Sequence, residues 1–296
     1  MIIGCFTLAG AIEGVREETF LIMGDSRGRF FATNERMLRD LLTEAAGGEE
    51  RPQTLFFLGD LSFWGSAGEY AAWCRIVTRF FPPDQIYPVM GNHDGRQETF
   101  GRFFPHLPWE MVPGYGRTVY TVDRGEIRFI ILNSRGHRID EVQRAWLARM
   151  LAPPRPRHAV VLLHEPFYPT GAHLGESLDR YPAERDLAWA LLDAGGVEMV
   201  FVSHEHNYSR RTIPSQTRPG KVIHQICVGS AGAPLRRTLV PDQTIAVFPA
   251  SYSYAILQNE EGRLRVTVYG PGRKVLDGFA GETVAHEEYE NEREDG

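Results

Sequence analysis

The chain has 296 residues, 43% of them apolar, enough to bury a substantial core as one large domain or two small ones. Of its net charge of −6, the terminal stretch HEEYENEREDG (286–296) carries −5, so the body is near neutral and presents no basic field for nucleic acid or an anionic membrane. Three cysteines (Cys5, Cys74, Cys227) without C-x-x-C spacing exclude a disulfide framework and a zinc ribbon.

In chain order, the start MIIGCFTLAGAIEG is apolar but too short to span a membrane, and it lacks a basic n-region. Residues 1–17 read either as a non-structural leader or as the remnant of a truncated signal peptide. The small-x-small run Ala9-Gly10-Ala11 and the lipoprotein-box-like IIGC (2–5) favour the second. Export, periplasmic or lipoprotein-like, goes with the remnant, and a cytoplasmic place with the leader. No other stretch is long enough for a transmembrane helix. Residues 18–282 then form one domain, and 283–296 an acidic, flexible tail.

Strand-like runs follow at TFLIMG (19–24), TLFFLG (54–59), IYPVM (86–90), HAVVLL (158–163) and EMVFVS (198–203). Between them lie helical patterns. TNERMLRDLLTEAAGG (33–48) has a Thr/Asn cap, an apolar face and a Gly-Gly stop, and 66–80, 140–151 and 183–196 behave likewise. This alternation predicts an α/β domain with mainly parallel strands. Later runs at 118–123, 127–133, 222–229, 253–257, 263–270 and 274–279 read as antiparallel hairpins, which together make two mixed sheets. Cys74 falls in a helical pattern and Cys227 in a strand pattern, as small buried hydrophobes.

Each of the five early strands runs into a donor: Gly24-Asp25, Gly59-Asp60, Gly91-Asn92-His93-Asp94, His164 and His204-Glu205-His206. In extended chain, i and i+2 face the same side, so His204 and His206 address one space if they are not simply two solvated loop histidines. Taken singly, Gly-Asp is a turn and a lone His a structural residue. Five in register, at strand ends where α/β sheets bind ligands, exceed what turn chemistry explains.

In GDSRG (24–28), LGDLSFWG (58–65), MGNHDG (90–95), LLHEPFY (162–168) and VSHEHNYSR (202–210), the chain resembles the calcineurin-like metallophosphoesterases, nearest their purple-acid-phosphatase-like branch. The resemblance spans about residues 19–280, and GNHD with H-x-H is its specific part. It implies an αββα four-layer sandwich of two mixed β-sheets flanked by helices. It also implies a centre of two metal ions (Mn, Fe or Zn) that hydrolyses phosphate mono- or diesters through a bridging hydroxide. On that pattern Asp60 bridges the ions, Asn92, His164 and His204 complete one site, and Asp25 and His206 hold the other. His93 is the general acid, and Asp94 either orients its ring or merely forms the HDG turn. His173 overhangs the cleft as a substrate group or belongs to a solvated loop. Glu205 points away and is structural, while Arg210 and Arg211 are salt-bridged surface groups.

Two positions depart from the pattern. Arg27 stands where many relatives have a ligand His, and Phe63 where purple phosphatases have Tyr; Ser203 in place of Gly is a milder change. Arg27 cannot ligate a cation, so it either pairs with a carboxylate or forks onto the substrate phosphate. The expected partner is a small phosphate ester rather than nucleic acid. A second reading keeps the fold as a surface or periplasmic binding module with a degenerate metal site, and a nuclease is disfavoured by the near-neutral body.

Overall fold

A computed structural model describes residues 18–28, 33–237, 240, 244–247 and 250–281, so the leader, the acidic tail and Cys5 lie outside the described residues. Two mixed sheets stack with helices on both outer faces. In the first sheet, β1 (Thr19–Met23), β2 (Thr54–Phe57) and β3 (Ile86–Pro88) run parallel. On the other side of β1, the antiparallel strands β11 (Tyr254–Glu260), β12 (Arg263–Gly270) and β13 (Lys274–Ala280) complete the order β13-β12-β11-β1-β2-β3. The second sheet has the order β10-β8-β9-β7-β6-β5-β4. It is built from β4 (Tyr120–Arg124), β5 (Ile127–Ile131), β6 (His158–Leu162), β7 (Met199–Val202), β8 (Tyr208–Pro214), β9 (Val222–Val228) and β10 (Ile245–Val247).

Period-2 alternation assigns the layers. From β5 to β7, Phe129, Val160, Leu162 and Phe201 turn toward the first sheet, and Ile130, Val161 and Val200 turn outward. The Phe129 ring meets Phe20 and Phe56 across the gap at centroid distances of 4.8 and 4.2 Å. Helices α1 (Glu35–Ala46), α2 (Ala67–Val77) and α3 (Gln97–Phe103) pack with the core that includes the first sheet, through Leu38, Leu41, Trp73 and Phe100. Helices α4 (Glu141–Leu151) and α5 (Pro182–Ala194) cover the second through Trp146, Leu147, Trp189 and Leu192. The expected αββα sandwich is the fold.

Helix starts follow local chemistry. Asn34 accepts from Met37 N, Ser66 and Glu69 form a capping box, and Asp140 accepts from Gln143 N. The later strands are not all hairpins as expected. β5 pairs antiparallel with β4 on one side and parallel with β6 on the other, and β9 pairs antiparallel with β8 and parallel with β7, the parallel partners being joined by long connections. Three elements had no clear signal: α3, short and carrying Gly101; β8, rich in arginine; and β10, of three residues. Among the described residues, no helix is long and apolar enough to cross a membrane.

Candidate metal centre

The carboxyl ends of β1, β2, β6 and β7, together with the loop after β3, bring all six expected ligands to one cleft. Four of them leave their strands in left-handed backbone: Asp25, Asp60, His204 and His206 have φ of 57°, 52°, 70° and 52°. Non-glycine residues avoid this region unless the surroundings enforce it, and such strain gathers at functional sites. Gly91 allows the close approach, since a Cβ there would sit 2.3 Å from Asp60 Oδ1.

Each of the three histidines expected as ligands is tied to a backbone carbonyl through one ring nitrogen. His164 Nδ1 faces Leu58 O at 2.8 Å, His204 Nε2 faces Glu176 O at 3.2 Å, and His206 Nδ1 faces Pro234 O at 3.1 Å. These carbonyls assign the proton to the outer nitrogen, leaving an inward lone pair on His164 Nε2, His204 Nδ1 and His206 Nε2. Burial lowers the pKa of all three, reinforced at His204 by its neighbour His164 and at His206, brought to about 3, by Arg27, so the rings are neutral.

Inward atoms that only accept are thereby crowded together. His164 Nε2 lies 2.9 Å from Asn92 Oδ1, 3.2 Å from His204 Nδ1 and 3.5 Å from Asp60 Oδ1. Lone pairs this close repel unless a cation lies among them. Asp25, at the border with the other half, also brings a donor atom within 4.8 Å of donors on Asp60 and His164. The mixed carboxylate, amide and imidazole donors suit a first-row transition metal, so this half of the cleft fits such an ion.

The other half is built differently. Asp25 Oδ2 accepts from Ser203 Oγ at 2.6 Å and from His204 N at 2.7 Å, while Oδ1 is buried without a hydrogen bond, 3.9 Å from His206 Nε2. Burial, then the charge of Asp60, pushes the Asp25 carboxyl well above the usual carboxylate range. Arg27 enters here. Its Nη2 is 3.1 Å from His206 Nε2, and its Nε is 3.2 Å from Asp60 Oδ2. Of the two readings of Arg27, the structure forms the pairing with a carboxylate, that of Asp60, and a second nitrogen turns to His206.

His93 reaches the same cleft, with its backbone N–H donating to Asp60 Oδ1 at 2.9 Å and its Nδ1 facing Phe63 O at 2.9 Å. That carbonyl, not Asp94, holds the ring. Asp94 is fully buried and accepts from the backbone N–H of Asp60, Gly91 and Leu61 at 2.8, 2.8 and 3.0 Å. Burial, then Asp60, lifts its carboxyl to about 8 against those three amides. Its expected place beside the His93 ring is therefore corrected: it clamps the two ligand loops together.

His173 stands over the cleft, its ring 4.1 Å from that of His204 and 5.5 Å from that of His206. Glu205, expected to be structural, lies buried over the amides of Thr170, Gly171 and His173 without closing a regular hydrogen bond, and burial lifts it to about 7. It supports the loop that carries His173. Arg210 pairs with Asp277 at 2.7 Å, away from the ligands, and Arg211 contacts Thr244 and the Tyr168 ring. Two functional positions escaped sequence reasoning. Ser203 fixes the Asp25 carboxylate, and Phe63 supplies the His93 carbonyl; neither role has a sequence signal beyond adjacency to a motif.

Comparison with known proteins agrees with this geometry. The chain is 26% identical over 269 residues to a cAMP/cGMP dual specificity phosphodiesterase of Mycobacterium tuberculosis, covering 86% of this chain and 82% of that protein. It is 33% identical over 139 residues to a probable cyclic nucleotide phosphodiesterase of Rhodococcus erythropolis, covering 45% of this chain and 44% of the relative. Among solved structures, a purple acid phosphatase from yellow lupin seeds superposes with a TM-score of 0.67 at 17% identity, over 89% of this chain and 53% of that one. The Plasmodium inner-membrane-complex anchor GAP50 superposes at 0.64 and 12% identity, over 91% and 90%. The chain thus spans about half of the lupin phosphatase chain, and these two structures share its fold. Residues 18–208 match the calcineurin-like phosphoesterase family, to which this hydrolase belongs.

Proposed function

We propose that the protein is a metal-dependent phosphodiesterase acting on small phosphodiesters of the cyclic nucleotide class. The observation that carries the metal dependence is the set of histidines whose protons are committed to backbone carbonyls, leaving their lone pairs gathered around Asp60 and Asn92. The diester preference is supported by the mycobacterial relative, whose match covers most of both chains. The near-neutral body favours a small ester over nucleic acid.

Asp60, Asn92, His164 and His204 would hold a transition-metal ion, which would supply Lewis acidity toward the phosphoryl group and lower the pKa of water. The residues of the chain do the rest. Asp60 offers one oxygen to each half of the cleft. His93, its Nδ1 proton held by Phe63 O, takes a second proton from solvent on Nε2 before turnover, and as the imidazolium gives that proton to the departing alkoxide, returning to the neutral ring. His173, seated over the ligand rings, narrows the cleft above the phosphate and orients the ester.

The test is hydrolysis of bis(p-nitrophenyl) phosphate, p-nitrophenyl phosphate, cAMP and cGMP by metal-stripped protein supplied with Mn, Zn or Fe. Diesters are expected to turn over faster than the monoester, and only with metal. Faster monoester turnover overturns the diester assignment. Bound metal without turnover of any ester would point to a binding module instead.

A further inference from the structure

The two positions that depart from the residues implied by the resemblance, Arg27 and Phe63, meet in space. The guanidinium carbon of Arg27 lies 5.6 Å from the centroid of the Phe63 ring, a cation–π distance. The backbone of Arg27 bridges to Thr33, whose hydroxyl donates to Leu61 O at 2.9 Å; the Leu61 amide is in turn held by Asp94. The Arg27 side chain is only 15% exposed. It is thus braced on one side by the ring and at its root by the loop after β2.

Neither side chain has a lone pair for a metal. Arg27 also engages the lone pairs that a second ion needs. His206 directs Nε2 inward because Nδ1 faces Pro234 O, and that Nε2 meets Arg27 Nη2 at 3.1 Å. The outer oxygen of Asp60 faces Arg27 Nε at 3.2 Å. Asp60 Oδ2 closes no hydrogen bond in this ion pair, so it and Asp25 Oδ1 are the donors left in this half; two oxygens, one of them held against a guanidinium, fall short of the about four ligands that a transition-metal site takes. The residues present therefore fit an ion in the Asp60/Asn92/His164/His204 half and do not fit one in the Asp25/His206 half.

We propose that the protein holds a single transition-metal ion, at Asp60, Asn92, His164 and His204, and that the Arg27 guanidinium stands in the Asp25/His206 half as a built-in second cation. The proposal rests on the reading of the cleft as a metal-dependent phosphoesterase and sets its stoichiometry. Arg27 replaces a cation that must be acquired with one that the chain always carries. Phe63 follows from the same exchange, since an aromatic face without a hydroxyl cushions a guanidinium and makes no claim on a metal.

The experiment counts ions. Metal-stripped full-length protein is loaded with excess Mn²⁺, freed of unbound metal by gel filtration, and analysed by mass spectrometry of the metal and by electron paramagnetic resonance. One ion per chain with the spectrum of isolated Mn²⁺ is expected; two ions with an exchange-coupled spectrum overturn the proposal. Arg27→His removes the guanidinium and adds a donor, so it should bind two ions and show the coupled spectrum. An Arg27→His protein that melts like the wild type yet still binds one ion also overturns it. If that variant does not fold, the wild-type stoichiometry decides alone. Hydrolysis of bis(p-nitrophenyl) phosphate on the same samples separates the two readings. Two ions with turnover removes only the built-in cation, whereas one ion with no ester hydrolysed removes the enzyme reading and leaves the stoichiometry standing.

Discussion

The two halves of the cleft are made from similar residue types and behave as opposites. Around His164 every inward atom accepts, and three such atoms lie within 3.5 Å of His164 Nε2 with no proton between them. Around His206 the same kind of lone pair is met by an N–H of Arg27. Both imidazoles are neutral, both are oriented by a backbone carbonyl, and both are buried. The contrast teaches that a histidine at a strand end is not a metal site by itself. What converts it into one is a set of neighbours that all lack a hydrogen to donate.

The largest way to break this comparison is Asp60→Ala, since Asp60 offers one oxygen to each half. Bound metal and ester hydrolysis should both fall to background, as measured by metal analysis beside the bis(p-nitrophenyl) phosphate assay. Retained metal would mean that Asp25 can take its place. His93→Ala comes next and separates chemistry from ligation. Its turnover should fall by roughly 10²–10⁴, the range for a general acid, with the metal content unchanged. A fall in metal content as deep as that of Asp60→Ala would make His93 part of the ligand support rather than a proton donor.

How far the sequence reveals these two halves depends on distance along the chain. The strands of both sheets and their terminal Asp, Asn and His residues are readable because each motif is local, and the pleat and turn chemistry speak within ten residues. The direction of Arg27 is not readable, because its partner His206 is 179 residues away. The hydroxyl of Ser203 reaches Asp25 across 178 residues, and in the sequence it looks like a mild replacement for glycine. Asp94 illustrates the same limit: its place in GNHD suggests the neighbouring imidazole, while its oxygens turn to the amides of Asp60 and Leu61 in another loop and of Gly91 in its own. β8 hides for a different reason. Arg210 and Arg211 erase its apolar alternation, although pairing on both sides by β9 and β10 makes it an interior strand.

Asp94→Ala tests what the two halves share. Three backbone amides lose their acceptor, and orphaned buried donors cost about 1–3 kcal/mol each, less where water enters the space left behind. A net loss of roughly 3 kcal/mol is expected, read as a lower midpoint in denaturant unfolding. His93 should keep its carbonyl partner, since Phe63 O supplies it. Unchanged stability would mean that water satisfies all three amides.

The pH dependence of the metal-free protein reports on the buried imidazoles. Burial, with the charge of Arg27, brings the folded value of His206 to about 3, and burial also depresses His164 and His204. In the unfolded chain these rings titrate near about 6.5. Between those values the unfolded state binds protons that the folded state refuses. The imidazole contribution to stability is therefore full above about 6.5 and declines as the pH falls toward about 3, while the raised carboxyls of Asp25 and Asp94 act in the opposite sense, so the readout is the difference between wild type and variant. His206→Asn should make that decline shallower in denaturant titrations, and an identical slope would show that His206 is accessible to protons in the folded protein.

The smallest expected effect is the finest probe of the difference between the halves. Ser203 donates to Asp25 Oδ2 at 2.6 Å, seated in space left by Gly24, where a Cβ would lie 2.3 Å from its Oγ. Ser203→Ala removes this bond but leaves the amide of His204 on the same oxygen at 2.7 Å. Losing a hydrogen bond to a buried acid costs about 1–3 kcal/mol, and the surviving amide places this variant at the low end. Metal affinity discriminates further. If the bound ion belongs to the His164 half, Asp25 is beside it rather than among its ligands, and Ser203→Ala should change the affinity by less than about tenfold. A loss of roughly 10–100-fold, the usual result of removing a ligand's own support, would instead make Asp25 a ligand of the tight ion. Titration of the stripped variant with Mn²⁺ reads the difference directly, because the donor atoms of Asp25, Asp60 and His164 lie within 4.8 Å of one another and either arrangement is within their reach.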